Sequence, residues 1–415
     1  MSGAPGTTAE VENRQEARFA SGAVSTEVVI CLGPWYEDAS ADHLMPLLTV
    51  LHAALGDHAS QALVAYPVSN PQATSWEHGG MLLQPYLPTA RLHTWLVQAA
   101  STYLSLFEVM RAHSATCGLL LGPEPQTLQP AAIRAMLDAV LAGGADLAVA
   151  KYQVGPNHGL INAAILHPLS RALFATKVQF PLALDIALSQ RMAERLAAAA
   201  QRLTTSAQPD AIVWAVSEAA NASFAIAEVE AGERDLPRPD VADLSNVLEM
   251  TAASMFSDIE AKATFWQRAR TILPLTTISA VPPVARPSEP VPTEEVEELV
   301  ESFRLGYGNL HEIWSLFLPP QTLLGLKRLS TTPSATFKMP DALWVRIVYD
   351  FVLAHRLRTI NRSHLLGSLT PLYLAWVASH ILAGQADAQE ALARAFEADK
   401  PYLVSRWRWP DRFNP

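Results

Sequence analysis

Short apolar runs, each closed by a chain-breaking residue, fix what the first part of this chain can become. Glu27 to Leu32 ends at Gly33-Pro34, Gln61 to Tyr66 at Pro67, and Thr116 to Leu121 at Gly122-Pro123; Asp146 to Tyr152 is a fourth such run. Runs this short, continuous and bounded by Gly or Pro read as strands buried on both faces. Helical spacing fills the intervals, over 41–55, 91–111 and 130–141, the last stopped by Gly143-Gly144. Residues 67–90, rich in Pro, Gly, Ser and Thr, read as loop. Strands alternating with helices predict an α/β fold, a doubly wound and mostly parallel Rossmann-like sheet. Ligands of such sheets gather at the carboxyl ends of strands. The loops after Leu32, Tyr66 and Leu121 are therefore the expected seat of any chemistry.

From about Ala187 the pattern reads as helical almost throughout. Residues 281–293 carry five prolines, which excludes helix and inner strand and predicts an extended linker. The expected organisation is a polar disordered tail over 1–25, an α/β domain over 26–280, the linker over 281–293, and a helical C-terminal region over 294–415. Trp314, Phe317, Trp344, Tyr349, Phe351, Tyr373 and Trp376 recur at near-helical spacing there, the mark of core stripes in a helical bundle.

Composition narrows the function. Half of the 415 residues are hydrophobic, 17% are charged, and the net charge is -10. A duplex nucleic-acid partner calls for a basic patch, and the sequence holds none. The short Arg406-Trp407-Arg408-Trp409 segment reads as the end of a packed helix. The two cysteines, Cys31 and Cys117, lie in strand-like runs and make neither a disulfide framework nor a zinc site. The first residues lack the apolar stretch of a signal peptide, and no window reads as a transmembrane segment, so the expected compartment is cytoplasmic. No Gly-X-Ser-X-Gly, P-loop, His-Glu-X-X-His or Cys-X-X-Cys motif occurs. The twelve histidines show no metal-ligand spacing, and His158 and His167, nine apart, read as core or surface residues.

Several segments carry a resemblance. Ala145 to Tyr152, Gly159 to Asn162, Pro168 to Phe174 and Pro181 to Ser189 are similar to the middle of one glycosyltransferase group. Leu343 to Phe351, Ser368 to Leu374 and Lys400 to Leu403 resemble its tail. The group is the bacterial glucosyl-3-phosphoglycerate, glucosylglycerate and mannosylglycerate synthases, of the GT-A type.

The resemblance implies hexose transfer from a nucleoside diphosphate sugar to a small hydroxy acid such as glycerate or phosphoglycerate. It also implies a divalent cation, Mg²⁺ or Mn²⁺, to neutralise the departing diphosphate. The group's Asp-X-Asp pair falls on Gly122-Pro123-Glu124, which leaves Glu124 as the metal candidate. Its basic glycine loop falls near Leu87 to Arg91, which leaves Arg91 as a diphosphate contact. Its metal histidine falls in Glu230 to Asp235, where no histidine stands and Glu233 or Asp235 are the substitutes. Its acceptor-side turn reads Pro181 to Ile186 and retains Asp185, the candidate catalytic or acceptor-binding carboxylate. At the end of the first strand, Glu37 is placed to meet the donor's base or ribose. Homodimers are a trait of the group. Ligand-bearing loops that have changed while core segments persist also admit a second reading, a catalytically degenerate relative that serves as a binding or regulatory partner in a homodimer or heterodimer.

Overall fold

The strands are β1 (Val28–Leu32), β2 (Ala62–Pro67), β3 (Trp76–His78), β4 (Met81–Tyr86), β5 (Cys117–Leu121), β6 (Leu147–Tyr152), β7 (Ile186–Ser189), β8 (Ile226–Gly232) and β9 (Leu275–Ser279). They form one sheet in the order β3-β4-β2-β1-β5-β7-β6-β8-β9. This computed structural model describes residues 26–88, 99–155, 158–182, 184–206, 208, 211–234, 241–269, 271–282, 292–384 and 388–410. Every neighbouring pair is parallel except those made by β7 and by the edge strand β3. The four expected strands are all present, within one residue of their expected bounds.

Two stretches differ from expectation. Residues 67–90 hold the β3–β4 hairpin, turned by Gly79 and Gly80 at φ +57° and +85°, a left-handed pair that glycine adopts without strain. Pro85 argues against an inner strand. It is tolerated because β3 pairs only as far as Leu83, so the missing N–H at Pro85 faces no ladder on that side. The second half supplies β7, β8 and β9, so the sheet continues well past Ala187.

The helices are α1 (Ala41–Leu55), α2 (Ala100–Ala112), α3 (Pro130–Leu141), α4 (His167–Phe174), α5 (Gln190–Thr205), α6 (Ala215–Ala222), α7 (Val241–Ala261), α8 (Ala263–Trp266), α9 (Thr293–Ser315), α10 (Pro320–Ser330), α11 (Asp341–Leu357), α12 (Arg362–Gly367), α13 (Leu369–Ala383) and α14 (Ala388–Arg408). Period-2 alternation sorts the strand side chains. Val28, Ile30 and Leu32 pack with α1 and α3, while Val29 and Cys31 pack with α2 and α5 on the other face. The sheet is therefore covered on both sides, as a doubly wound fold requires. Both cysteines are free and buried, and burial pushes each thiol up to about 12, so neither is reactive at neutral pH.

The C-terminal helices are not a separate body. One apolar cluster runs from Ala163–Phe174 through α7 and Trp266 into α9, α11, α13 and α14. Trp344 is fully buried and its Nε1 donates to the Ala164 carbonyl at 2.9 Å, while Trp266 and Trp407 meet edge to face at 5.0 Å. The tail Arg406 to Trp409 ends a packed helix, as expected; Arg406 donates to Asp350 at 2.7 Å and Arg356 lies over the Trp407 ring. Among the described residues one stretch, Arg362–Ala383, is long and apolar enough to cross a membrane. It is α12 and α13, broken at Ser368, and 56% of its most apolar window is buried in this core.

Asp350 gives the core a pH dependence. It is 1% exposed on α11, and burial pushes its carboxyl up to about 7 against the pull of Arg406. A carboxylate whose folded pKa is raised binds its proton more tightly when folded. Its contribution is thus complete below about pH 4 and is lost as pH rises to about 7. Urea titrations at pH 5 and 8 are expected to show Asp350→Asn losing less stability over that interval than the unsubstituted protein. Parallel losses would remove Asp350 as the cause.

Candidate active site

The strand order reverses between β1 and β5. The chain winds outward from β1 to β2 and β4, then returns to place β5 on the other side. At such a switch point the loops leaving adjacent strands diverge and open a crevice at the carboxyl edge. Gly33 to Asp38 and Gly122 to Glu124 border it here. Two of the three expected loops therefore lie at the topological position that ligands use.

After β1 a single 3-10 turn, Pro34–Tyr36, presents Glu37 to solvent. Asp38, at φ +55°, accepts from the Ser69 backbone N–H at 2.8 Å, which ties this loop to the one after β2. Tyr36 donates to Gln126 Oε1 at 3.3 Å, and the Gln126 amide in turn bonds the Glu124 carboxylate. Glu124 is exposed and left-handed at φ +51°, an uncommon conformation for a residue with a side chain. Arg91 and Asp235 lie outside the described residues.

Asp185 sits immediately before β7 and is fully buried. Its carboxylate accepts from the Gly122 N–H at 2.8 Å, the Tyr152 hydroxyl at 2.8 Å and Nε of Arg234 at 3.0 Å. Arg234 is equally buried, and its Nη1 reaches both the Glu124 carbonyl and, at 2.8 Å, Thr127 Oγ1. Burial alone would lower the guanidinium's pKa, and the Asp185 charge more than offsets it. This ion pair knits β5, β6, β7 and the end of β8 together. In this arrangement Asp185 is shielded from any acceptor in solution.

The same cluster bears on a divalent cation. A Cβ at position 122 would come 2.8 Å from Leu184 Cβ and 3.5 Å from Asp185 Oδ1, so no carboxylate fits there without rearrangement. Arg234 places a permanent positive charge beneath the Glu124 loop. Among the described residues no group of three or more His, Cys, Asp or Glu is close enough to hold an ion. Glu124 thus offers a cation one carboxylate, the low end of what Mg²⁺ takes from a protein when substrate phosphates and water complete its shell. The described residues hold no preformed cluster for the metal that the resemblance implies, and Glu124 is the residue that could contact one together with the diphosphate oxygens.

A cavity of about 400 Å³ opens beside this cluster, at the carboxyl ends of β6 and β8. Tyr152, which holds Asp185, forms part of its wall with Phe180, and the start of α14 closes it through Gln389 and Glu390. Lys151 and Glu230, register partners on β6 and β8, pair on its wall at 3.4 Å. A hydrogen bond from Ser279, helped by Lys151, holds the Glu230 carboxyl below its usual range. Hydrogen bonds from Arg171 pull Glu390 down to about 2, so both acids stay charged at neutral pH. Asn162 opens a π-helical turn, Asn162–Leu166, and donates to the Gln179 carbonyl at 2.8 Å. Such turns widen a helix and recur at functional sites.

His167 begins α4 and also lines this cavity. Its Nδ1 lies 2.9 Å from the Val178 carbonyl. A carbonyl only accepts, so Nδ1 carries the hydrogen and Nε2 keeps its lone pair. Burial is the largest influence and holds the imidazole below its ordinary pKa, hence neutral at pH 7. The sequence reading missed this cavity because it looked after β1, β2 and β5. The available signals were the Gly159 to Asn162 segment and the two histidines that bracket it.

No family model matches the chain, and no curated protein matches it. Among solved structures it is similar to glucosyl-3-phosphoglycerate synthase from Mycobacterium tuberculosis. The complex with phosphoglyceric acid is 14% identical, with a TM-score of 0.34 over 62% of this chain and 86% of that one. The complex with Mn²⁺, uridine-diphosphate-glucose and phosphoglyceric acid is 15% identical, with a TM-score of 0.35 over 62% and 85%. The complex with Mn²⁺, uridine-diphosphate and glucosyl-3-phosphoglycerate is 15% identical, with a TM-score of 0.35 over 62% and 86%. A likeness this distant assigns no residue, ligand or reaction to this chain. Its fold class stands on its own strand order: a doubly wound, mostly parallel α/β sheet continued by a helical C-terminal region.

Proposed function

We propose that this chain binds a nucleoside diphosphate sugar in the switch-point crevice and transfers its hexose to a small hydroxy acid held in the adjoining cavity. One observation carries the reading. The Gly122–Asp185–Tyr152 hydrogen bonds join the crevice loop directly to the cavity wall, so two ligand spaces share a border, as a transfer between two bound partners needs. The segments similar to the glycerate-type synthases supply the chemical class. Glu37 is assigned to the base or ribose, Arg91 to the diphosphate, and Glu124 to whatever cation assists. Asp185 is assigned to positioning, because its oxygens already serve the crevice loop and Arg234.

The test is calorimetric titration of the full chain with UDP-glucose and GDP-mannose, each with and without Mn²⁺, followed by product analysis with glycerate and 3-phosphoglycerate. Donor binding with a dissociation constant below about 1 mM, together with glycosylated product, is the expected outcome. Absence of heat with every donor would remove the reading.

The single carboxylate that the crevice offers a divalent cation favours one alternative, a degenerate relative that partners an active enzyme. Donor binding without any product, together with co-purification of an active relative, would favour it instead.

A further inference from the structure

We propose that the cavity beside Tyr152 takes an acceptor that bears hydroxyls but no phosphate, with one hydroxyl donating its hydrogen bond to Nε2 of His167. This rests on the reading above, in which the cavity is the acceptor's, and it separates two acceptors that the reading leaves together.

The argument is an inventory of what faces the space. Its charged lining among the described residues is Lys151, Glu230 and Glu390. Lys151 is already engaged by Glu230 at 3.4 Å, and Arg171 behind the wall is 7% exposed and bonded to both Glu390 and Glu397. A phosphate monoester carries nearly two negative charges and is ordinarily met by clustered, available Arg or Lys. Here it would meet two carboxylates, a lysine already held by one of them, His158, and the lone pair of the neutral His167 imidazole. Hydroxyls, by contrast, donate well to carboxylates and to Nε2, and they accept from side-chain amides such as Asn162 and Gln179 that border the same space. The Phe180 ring offers an apolar face for the carbon skeleton.

The buried Nδ1–H···O contact to Val178 fixes the ring and keeps Nε2 a hydrogen-bond acceptor. In the transfer itself, the acceptor oxygen bonds the anomeric carbon. The bond from that carbon to the diphosphate breaks, its electron pair leaving on the nucleoside diphosphate. The hydroxyl proton passes to Nε2 of His167.

Binding of D-glycerate and of 3-phosphoglycerate to the full chain, measured by calorimetry, tests this. Glycerate is expected to bind at least tenfold more tightly. Glu230→Gln, which releases Lys151, is expected to strengthen phosphoglycerate binding several-fold and so to narrow the gap between the two acids. With ¹⁵N-labelled histidine, glycerate is expected to shift the Nε2 resonance of His167, with Nδ1 remaining protonated. Tighter binding of phosphoglycerate, or an unmoved Nε2 resonance while glycerate binds, overturns the inference and leaves the acceptor cavity standing. Failure of both acids to bind overturns the acceptor cavity as well.

Discussion

Replacing Arg234 with methionine is expected to lower the unfolding free energy by about 3–5 kcal/mol, the usual cost of removing one partner of a buried ion pair. Both side chains of the Asp185–Arg234 pair are 0% exposed, so water cannot take over the lost interaction. The substitution leaves Asp185 charged in an apolar setting, with only the Gly122 N–H and the Tyr152 hydroxyl to serve it. It also removes one donor from the Glu124 carbonyl, which keeps its bonds from the Thr127 N–H and hydroxyl, and the donor to Thr127 Oγ1, which loosens the crevice loop. Chemical denaturation of Arg234→Met, and of Arg234→Met with Asp185→Asn, separates charge burial from packing. The double variant is expected to be more stable than the sum of the single losses, because it leaves no naked charge. A single-variant loss below about 1 kcal/mol would mean that the pair is hydrated and the crevice loop is not anchored this way.

Trp344→Ala is expected to cost a similar amount by a different route. The indole is fully buried between α13 and the π-helical turn, with Trp376 at 6.1 Å between ring centroids. Truncating a buried Trp to Ala costs about 3–5 kcal/mol through lost transfer energy and the cavity left behind. Loss of the 2.9 Å bond to the Ala164 carbonyl adds about 1–3 kcal/mol if that oxygen stays buried and unpaired. The cavity is the larger effect, so Trp344→Phe is expected to recover most of the loss and isolate the hydrogen bond. The damage should also reach function. Ala164 lies in the same turn as Asn162, and a displaced turn moves a wall of the cavity. Weakened glycerate binding in Trp344→Phe, with the fold retained, is the expected readout; unchanged binding would uncouple the helical core from the cavity.

What could be read from the residues follows from how locally each feature is written. Val28–Leu32 and Cys117–Leu121 are fully buried, continuous and punctuated by Gly-Pro, so composition alone announces them. Ile226–Gly232 hides because its Glu228 and Glu230 alternate with Ala and Val. One acid takes the Gln179 N–H at 2.6 Å and the other faces a polar cavity, so the usual buried-strand signature is broken for the sake of the site. Met81–Tyr86 hides behind Pro85, whose tolerance depends on how short its neighbour β3 is.

The candidate carboxylate Asp185 was visible as a residue, but its partner Arg234 stands 49 positions away, and nothing local links them. Likewise, the orientation of His167 comes from a carbonyl 11 residues downstream, which no spacing rule encodes. Such pairings are products of the sheet order, and become legible only when strands are assigned their neighbours.

That β7 runs against its neighbours has one more consequence. Seven strands arrive at the reactive rim by their ends, whereas this one departs from it, with Ile186 beside Leu120 and Val149. The rim therefore also receives side chains from a segment that comes before a strand. Reshaping the α4–β7 connection around Gln179 and Phe180 can retune the mouth of the site, provided that Val178 and Asp185 keep their places. Substrate preference in a protein built this way has a place to drift, a few residues upstream of the one its scaffold depends on.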